Sequence, residues 1–167
     1  MGDREYLYRF YRDEDQSQVE AFRCAARRRP WEAKAQVVIR EAPSCLGTEE
    51  GNEIFVAVAG DLVVGVVVCA PDPFEPNTVW IKSLGTHVDY KKQGIATNMK
   101  FRVMGEFALR TGSAVAVVSE VHKYNIPMLR LNDKLEVSRA PSTEHGKYFD
   151  CVIQAEPDIE TQNNFHS

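Results

Sequence analysis

Residues Ile54 to Ala59 and Leu62 to Ala70 are two runs rich in β-branched side chains, and only Gly60-Asp61 lies between them. Runs this short fit a pleated surface better than a helix, and a two-residue Gly-containing break between them specifies a tight hairpin. The chain must therefore contain an antiparallel pair with both strands buried. After the proline-rich turn at Pro71 to Pro76, Thr78 to Val88 reads as a third consecutive strand. Gly85 interrupts it, as glycine does at a bulge or where something approaches the backbone closely, and a ligand could lie against this strand.

The elements around this trio follow from local signals. Glu5 to Phe10 reads as a first strand. Asp13 with Gln16 has the form of a capping box, and Val19, Phe22 and Ala26 recur at helical spacing until Pro30 stops the pattern. Arg27-Arg28-Arg29 then falls in the last turn, either complementing the helix dipole or forming a wall of an acceptor or phosphate pocket. A second helix is expected around Ala33 to Arg40, with loop from Pro43 to Asn52. A helical pattern from about Thr97 to Arg110, with Ile95, Met99, Val103 and Phe107 on one face, closes at Gly112. Ser113 to Val121 is a further strand, parallel to Thr78 to Val88 through a right-handed crossover. Asn125 caps a fourth helix that tolerates Pro127 in its first turn and has Met128, Leu131 and Leu135 on its inner face. Ser138 to Pro141 and Tyr148 to Ala155 form a last antiparallel pair.

Composition narrows the class. With 167 residues and 44% apolar content the chain suits one core, so residues 1–156 are expected to be a single domain and 157–167 a frayed tail. The net charge of −4 gives no footprint for nucleic acid and mildly favours a cationic small molecule or peptide. The longest apolar run, Leu62 to Ala70, is far short of a membrane helix, and the charged residues from Asp3 onward do not resemble a secretory signal. Cys24, Cys45, Cys69 and Cys151 show neither zinc-finger spacing nor a disulfide framework; all four fall on elements expected to be buried. A cytoplasmic protein without a metal is expected.

The junction Lys91-Lys92-Gln93-Gly94-Ile95-Ala96-Thr97 joins the third strand of the trio to a helix. Gly94 there has two readings: it eases the turn, and a glycine-relaxed helix start also directs free backbone N–H groups at one point, here beside two lysines, and so suits an anion such as a pyrophosphate. It lacks the Gly-x-x-x-x-Gly-Lys-Ser/Thr loop of nucleotide-phosphate binders and follows antiparallel strands rather than opening a βαβ series.

The order of elements from Glu5 to Ala155, and within it Leu84-Gly85-Thr86-His87-Val88-Asp89-Tyr90-Lys91-Lys92-Gln93-Gly94-Ile95-Ala96, resembles the GCN5-related N-acetyltransferase (GNAT) family and its acetyl-CoA signature. Lys91 stands where that family has Arg or Gln. The resemblance implies an α/β (α+β) fold: a mixed, mostly antiparallel sheet of six to seven strands flanked by about four helices, with strands 4 and 5 parallel and splayed around the cofactor. It implies that Leu84, Gly85 and Thr86 offer backbone groups to the pantetheine arm, that Lys92, Gln93, Gly94, Ile95, Ala96 and Thr97 hold the pyrophosphate, and that the side chain of Asn125 meets the same arm. Glu120 matches the position of a general base, with His122 as the alternative.

Two departures stand out. The tyrosine that commonly protonates the departing thiolate would fall at Asn132, so Tyr124, Tyr148 or solvent must serve instead. The usual Leu-Gly-Phe after the fourth helix reads Leu135-Glu136-Val137. The expected activity is acetyl transfer from acetyl-CoA to a primary amine of a small molecule or peptide, by direct attack in a ternary complex. A non-catalytic acyl-CoA-binding or sensor module is the alternative, and a homodimer is compatible with either. The acceptor pocket would lie between the segment Arg27 to Trp31 and the loop Glu144 to Tyr148, with Trp31 as a pocket wall or as ordinary packing.

Overall fold

The computed structural model describes residues 5–25, 29–48, 51–122, 125, 128–130, 132, 138–141 and 148–155, with His122 and the last two segments described by their backbone alone. Among the described residues seven strands form one sheet: β1 Leu7–Phe10, β2 Glu53–Ala59, β3 Leu62–Pro71, β4 Thr78–Thr86, β5 Val115–His122, β6 Ser138–Pro141 and β7 Tyr148–Ala155. Their order across the sheet is β1-β2-β3-β4-β5-β7-β6. Among the described strands only the β4–β5 pair is parallel, as the strand-helix-strand connection between them requires. Three α-helices have defined bounds, α1 Gln16–Glu20, α2 Pro30–Glu41 and α3 Ile95–Thr111; residues 128–130 and 132 are also helical.

The hairpin sorts the core into two layers because alternate β2 side chains point to opposite faces. Phe55 and Ala57 join Val64, Val67, Ile81, Ile95, Met99, Val103 and Phe107 under α3. Ile54, Val56 and Val58 join Val19, Phe22, Ile39, Val66 and Val68 on the face covered by α1 and α2. The stripe expected on α3 is thus entirely core, and all four of its members are buried.

Several local expectations change. The capping box forms one residue earlier than read: the Asp15 carboxylate, not Gln16, accepts from a backbone N–H, that of Arg12, at 2.8 Å. Arg9 also donates both arms of its guanidinium to Asp15, at 2.7 and 3.0 Å. The helix that follows stops at Glu20, so Phe22 and Cys24 are buried from an irregular segment. Pro30 does not merely end a helix; it occupies the first turn of α2, where a missing N–H costs nothing. Arg29 consequently caps the start of α2 and is not at a helix C-terminus. Arg27 and Arg28 lie outside the described residues, as do Leu131, Leu135, Glu136, Val137 and the segment 156–167.

On β4 the extra residue is Lys82, since Val68 faces Ser83 while Cys69 faces Ile81. Gly85 marks the other possibility, a close approach. An added Cβ there would come within 2.7 Å of Ile39 Cδ1 and 3.0 Å of Cys24 Sγ, so glycine is what lets α2 seat against β4.

Candidate active site

β4 and β5 pair from Thr78↔Ala116 to Ile81↔Ser119 and no further. Beyond that rung β4 runs on to Thr86 and β5 to His122, and the two strands part. A cavity of about 830 Å³ opens in the gap, walled by residues 80–86 of β4, Ser119, Glu120 and Val121 of β5, and the turn 91–97. The splay follows from the bulge: Lys82 advances β4 by one residue just past the last pairing rung and re-aims the strand.

At one end of the cavity the backbone carries the chemistry. Lys92 and Gly94 have φ of 63° and 77°, both left-handed, and α3 starts at Ile95. No side chain caps Gly94. The first N–H groups of α3 have no partner within the helix, and Ile95, Ala96 and Thr97 line the cavity. An added Cβ at Gly94 would touch nothing within 4 Å, so the glycine serves its backbone conformation and leaves the approach open. Tyr6 Oη donates to Gln93 Oε1, tying the turn to the chain before β1. Uncapped helical N–H groups with Lys91 and Lys92 alongside suit a polyanion, so this end fits the diphosphate of a coenzyme A.

At the other end lie Glu120 and Asn125. Asn125 is the helix cap the sequence suggested: its Oδ1 accepts from Met128 N–H at 3.4 Å, and its carbonyl accepts from Leu129 N–H at 3.1 Å. Among the described residues of that helix, Leu129 and Asn132 are buried. Met128 instead lines the cavity. Asn132 is 1% exposed, its Oδ1 accepts from Lys100 Nζ at 3.3 Å, and Nζ also lies 3.4 Å from Met128 Sδ.

The α2 side supplies Arg29, Trp31 and Lys34. Trp31 is partly exposed and borders the cavity, so it is a wall and not simple packing. Glu32 binds the two edges together, with Oε1 3.3 Å from Arg29 and 3.6 Å from Lys91, while its buried Oε2 has no hydrogen-bond partner. Cys24 also borders the cavity, but burial pushes its thiol up to about 11, and burial takes Cys69 to about 12. Cys45 is only partly buried, contrary to expectation, and of Cys151 the backbone alone is described.

All ten residues expected at a cofactor border this one cavity, and Glu120 does too. Tyr124 lies outside the described residues, and Tyr148 and His122 are described only as backbone at the β5–β7 rung His122↔Tyr148. Sequence reasoning missed Lys100 and Glu32. A signal for Lys100 existed: it precedes Val103 and Met104 by three and four residues, so it belongs to the buried face of α3. Glu32 had a local signal only for its pair with Arg29, three residues earlier; its contact with Lys91 had none, because Lys91 is far away in sequence. Among the described residues no group of three or more His, Cys, Asp and Glu could hold a metal ion, and no helix is long and apolar enough to cross a membrane.

Residues 6–135 match the model of the Acetyltransferase (GNAT) family. The chain belongs to that family. Its fold is shared by solved GNAT structures of low sequence identity. The ribosomal-protein-S18-alanine N-acetyltransferase of Escherichia coli superposes with a TM-score of 0.64 at 14% identity, covering 93% of this chain and 96% of its own. PaiA N-acetyltransferase from Thermoplasma acidophilum, in complex with coenzyme A, gives 0.66 at 12% identity, covering 90% and 99%. A chain of the NatC complex bound to Gag peptide and CoA gives 0.61 at 16%, again covering 90% and 99%. No curated protein sequence matches the chain.

Proposed function

We propose that this GNAT protein transfers the acetyl group of acetyl-CoA to a primary amine by direct attack, with both substrates held in the one cavity. The observation that carries the reading is the convergence of an uncapped helix start, a strand edge with free backbone groups and a carboxylate on that single space. Acetyl-CoA, when bound, supplies an acetyl thioester. Lys92 to Thr97 hold its pyrophosphate through backbone N–H groups and lysine charge. Leu84, Gly85 and Thr86, past the last β4–β5 rung, offer backbone groups to the pantetheine arm in the manner of an added strand. Asn125, its Oδ1 engaged as a helix cap, keeps its amide N–H groups for the same arm.

Glu120 takes the proton that the amine must lose. A lysine amine of pKa about 10.4 costs about 4 to 5 kcal/mol to deprotonate at pH 7, and an α-amine of pKa about 8 only about 1 to 1.5 kcal/mol. The demand on Glu120 is therefore set by the acceptor. Cys24 is a poor candidate for an acyl-enzyme because its thiol stays protonated at neutral pH, which favours attack by the amine itself. Trp31 and Trp80 give the acceptor end a partly aromatic wall. Two similar structures, one a ribosomal-protein-alanine N-acetyltransferase and one bound to a peptide, favour a peptide amine among the acceptor classes.

The test is release of free thiol from acetyl-CoA in the presence of polyamines, aminoglycosides, amino acids and peptides in turn. The expected result is release above the hydrolysis rate with at least one class. Tight CoA binding without release for any amine would replace this reading with a non-catalytic acyl-CoA-binding module.

A further inference from the structure

Lys100 is 3% exposed on the core side of α3, yet it borders the cavity. Its Nζ is 3.3 Å from Asn132 Oδ1 and 3.4 Å from the sulfur of Met128, which borders the same space in the turn capped by Asn125. Burying an ammonium group costs several kcal/mol, and a helix whose neighbouring positions are Met99, Val103 and Met104 has no packing need for one. Beside it, Asn132 is 1% exposed and its Nδ2 is a buried donor with no hydrogen-bond partner. An amide held by its oxygen to Lys100 thus leaves a second donor unsatisfied. A positive charge and an orphaned N–H at one place are the complement of an anion or a strong acceptor.

We propose that Lys100, positioned by Asn132, stabilises the thiolate that departs when acetyl leaves coenzyme A. The inference rests on the acetyl-transfer reading above. In that step the amine nitrogen bonds to the acetyl carbon, the carbon–sulfur bond breaks, and its electron pair goes to sulfur. The amine proton goes to Glu120, and the thiolate is held as an ion pair by the Lys100 ammonium. A thiol of ordinary pKa about 8.5 is mostly protonated at pH 7, so a fixed cation within a few ångströms gives the leaving group what a proton would otherwise supply. The carboxylate of Glu120 borders the same cavity and opposes this effect, so the cation must lie nearer the sulfur than the carboxylate does.

The binary complex with CoA tests this without turnover. Ultraviolet absorbance of the thiolate is followed against pH for CoA bound to the wild type, to Lys100→Met and to Lys100→Arg. An opposite charge within about 4 to 6 Å lowers such a pKa by about 1 to 3 units. The bound thiol is expected to titrate that far below free CoA in the wild type and in Lys100→Arg, and to return to the free value in Lys100→Met. Lys100→Gln is the neutral variant should Lys100→Met not fold. CoA that binds to wild type and neutral variant alike with the same thiol titration overturns the role of Lys100 and leaves the transferase reading standing. Failure of the wild type to bind CoA at all overturns both.

Discussion

Ile81 and Ser119 form the last rung between β4 and β5, and both border the cavity that opens beyond it. A sheet normally hides its backbone groups in pairing. Here the pairing of a parallel couple is interrupted part-way, so backbone donors and acceptors on β4 face an open slot within a fully folded core. The bulge at Lys82 is the local device that produces this.

Gly85 should be intolerant of even one methyl group. The added Cβ would lie 2.7 Å from Ile39 Cδ1 and 3.0 Å from Cys24 Sγ, both from buried residues. Gly85→Ala is expected to cost about 1 to 3 kcal/mol by overpacking, and Ile39→Val in the same chain should recover part of that. Urea denaturation of the single and double variants measures both effects. An unchanged midpoint for Gly85→Ala would mean α2 does not bear on β4 as described.

Gly94→Ala tests a different constraint. Nothing stands within 4 Å of the added methyl, but φ is 77°, so the cost is backbone strain of about 1 to 2 kcal/mol. Any relaxation toward negative φ re-aims the first N–H groups of α3. CoA titration calorimetry should therefore show weaker binding together with the lower stability, whereas Gly85→Ala acts chiefly on stability.

The buried Asp15 carboxylate is held below the usual range, first by the hydrogen bonds from Arg9 and then by the backbone N–H of Arg12, against the opposing effect of burial. Because the folded pKa is depressed, the stabilisation is fully present above the unfolded value of about 3.9 and is lost as pH falls through the folded value. Asp15→Asn leaves Arg9 buried beside a neutral amide and is expected to cost about 3 kcal/mol at pH 7. Denaturation at pH 7 and at pH 3 should show that the gap between wild type and variant narrows on acidification. A gap of equal size at both values would remove the ion pair as its cause.

The sheet was largely legible in the chain because its signals are local. Val63 to Val68, the break at Gly60-Asp61 and the stripe Ile95, Met99, Val103, Phe107 need no partner to be recognised, and Ser138 to Pro141 and Tyr148 to Ala155 have the bounds expected of them. The N-terminal helices were read less well. Pro30 can stop one helix or start another, and tertiary burial of Phe22 imitated helical spacing in a segment that is not helical past Glu20. The glycine turn was visible because a motif is contiguous. The Lys100–Asn132 and Glu32–Lys91 pairs were not, because each joins residues tens of positions apart and exists only through packing.

Cys24 and Cys69 should resist alkylation in the folded protein. Burial raises their thiols to about 11 and about 12, so at pH 8 well under one part in a hundred of either is thiolate, the reactive form. Iodoacetamide followed by peptide mass spectrometry is expected to leave both unmodified until denaturant is added. Incubation with acetyl-CoA alone should likewise leave no acetyl group on Cys24. An acetylated Cys24 would replace direct attack with a two-step route through an acyl-enzyme.

Glu120→Gln separates base catalysis from binding. General-base action is commonly worth about 10² to 10⁴ in rate, and glutamine keeps the shape of the side chain while removing its ability to take a proton. Turnover should fall by that order at pH 7 with the affinity for acetyl-CoA unchanged. As pH rises the amine is increasingly deprotonated by solvent and needs no base, so the deficit should shrink toward pH 9. It should also be smaller for an α-amine acceptor than for a lysine side chain, whose deprotonation costs about 3 kcal/mol more at neutral pH. Steady-state kinetics of both proteins from pH 6 to 9 reads these dependences together, and parallel profiles for wild type and variant would remove Glu120 from the proton path.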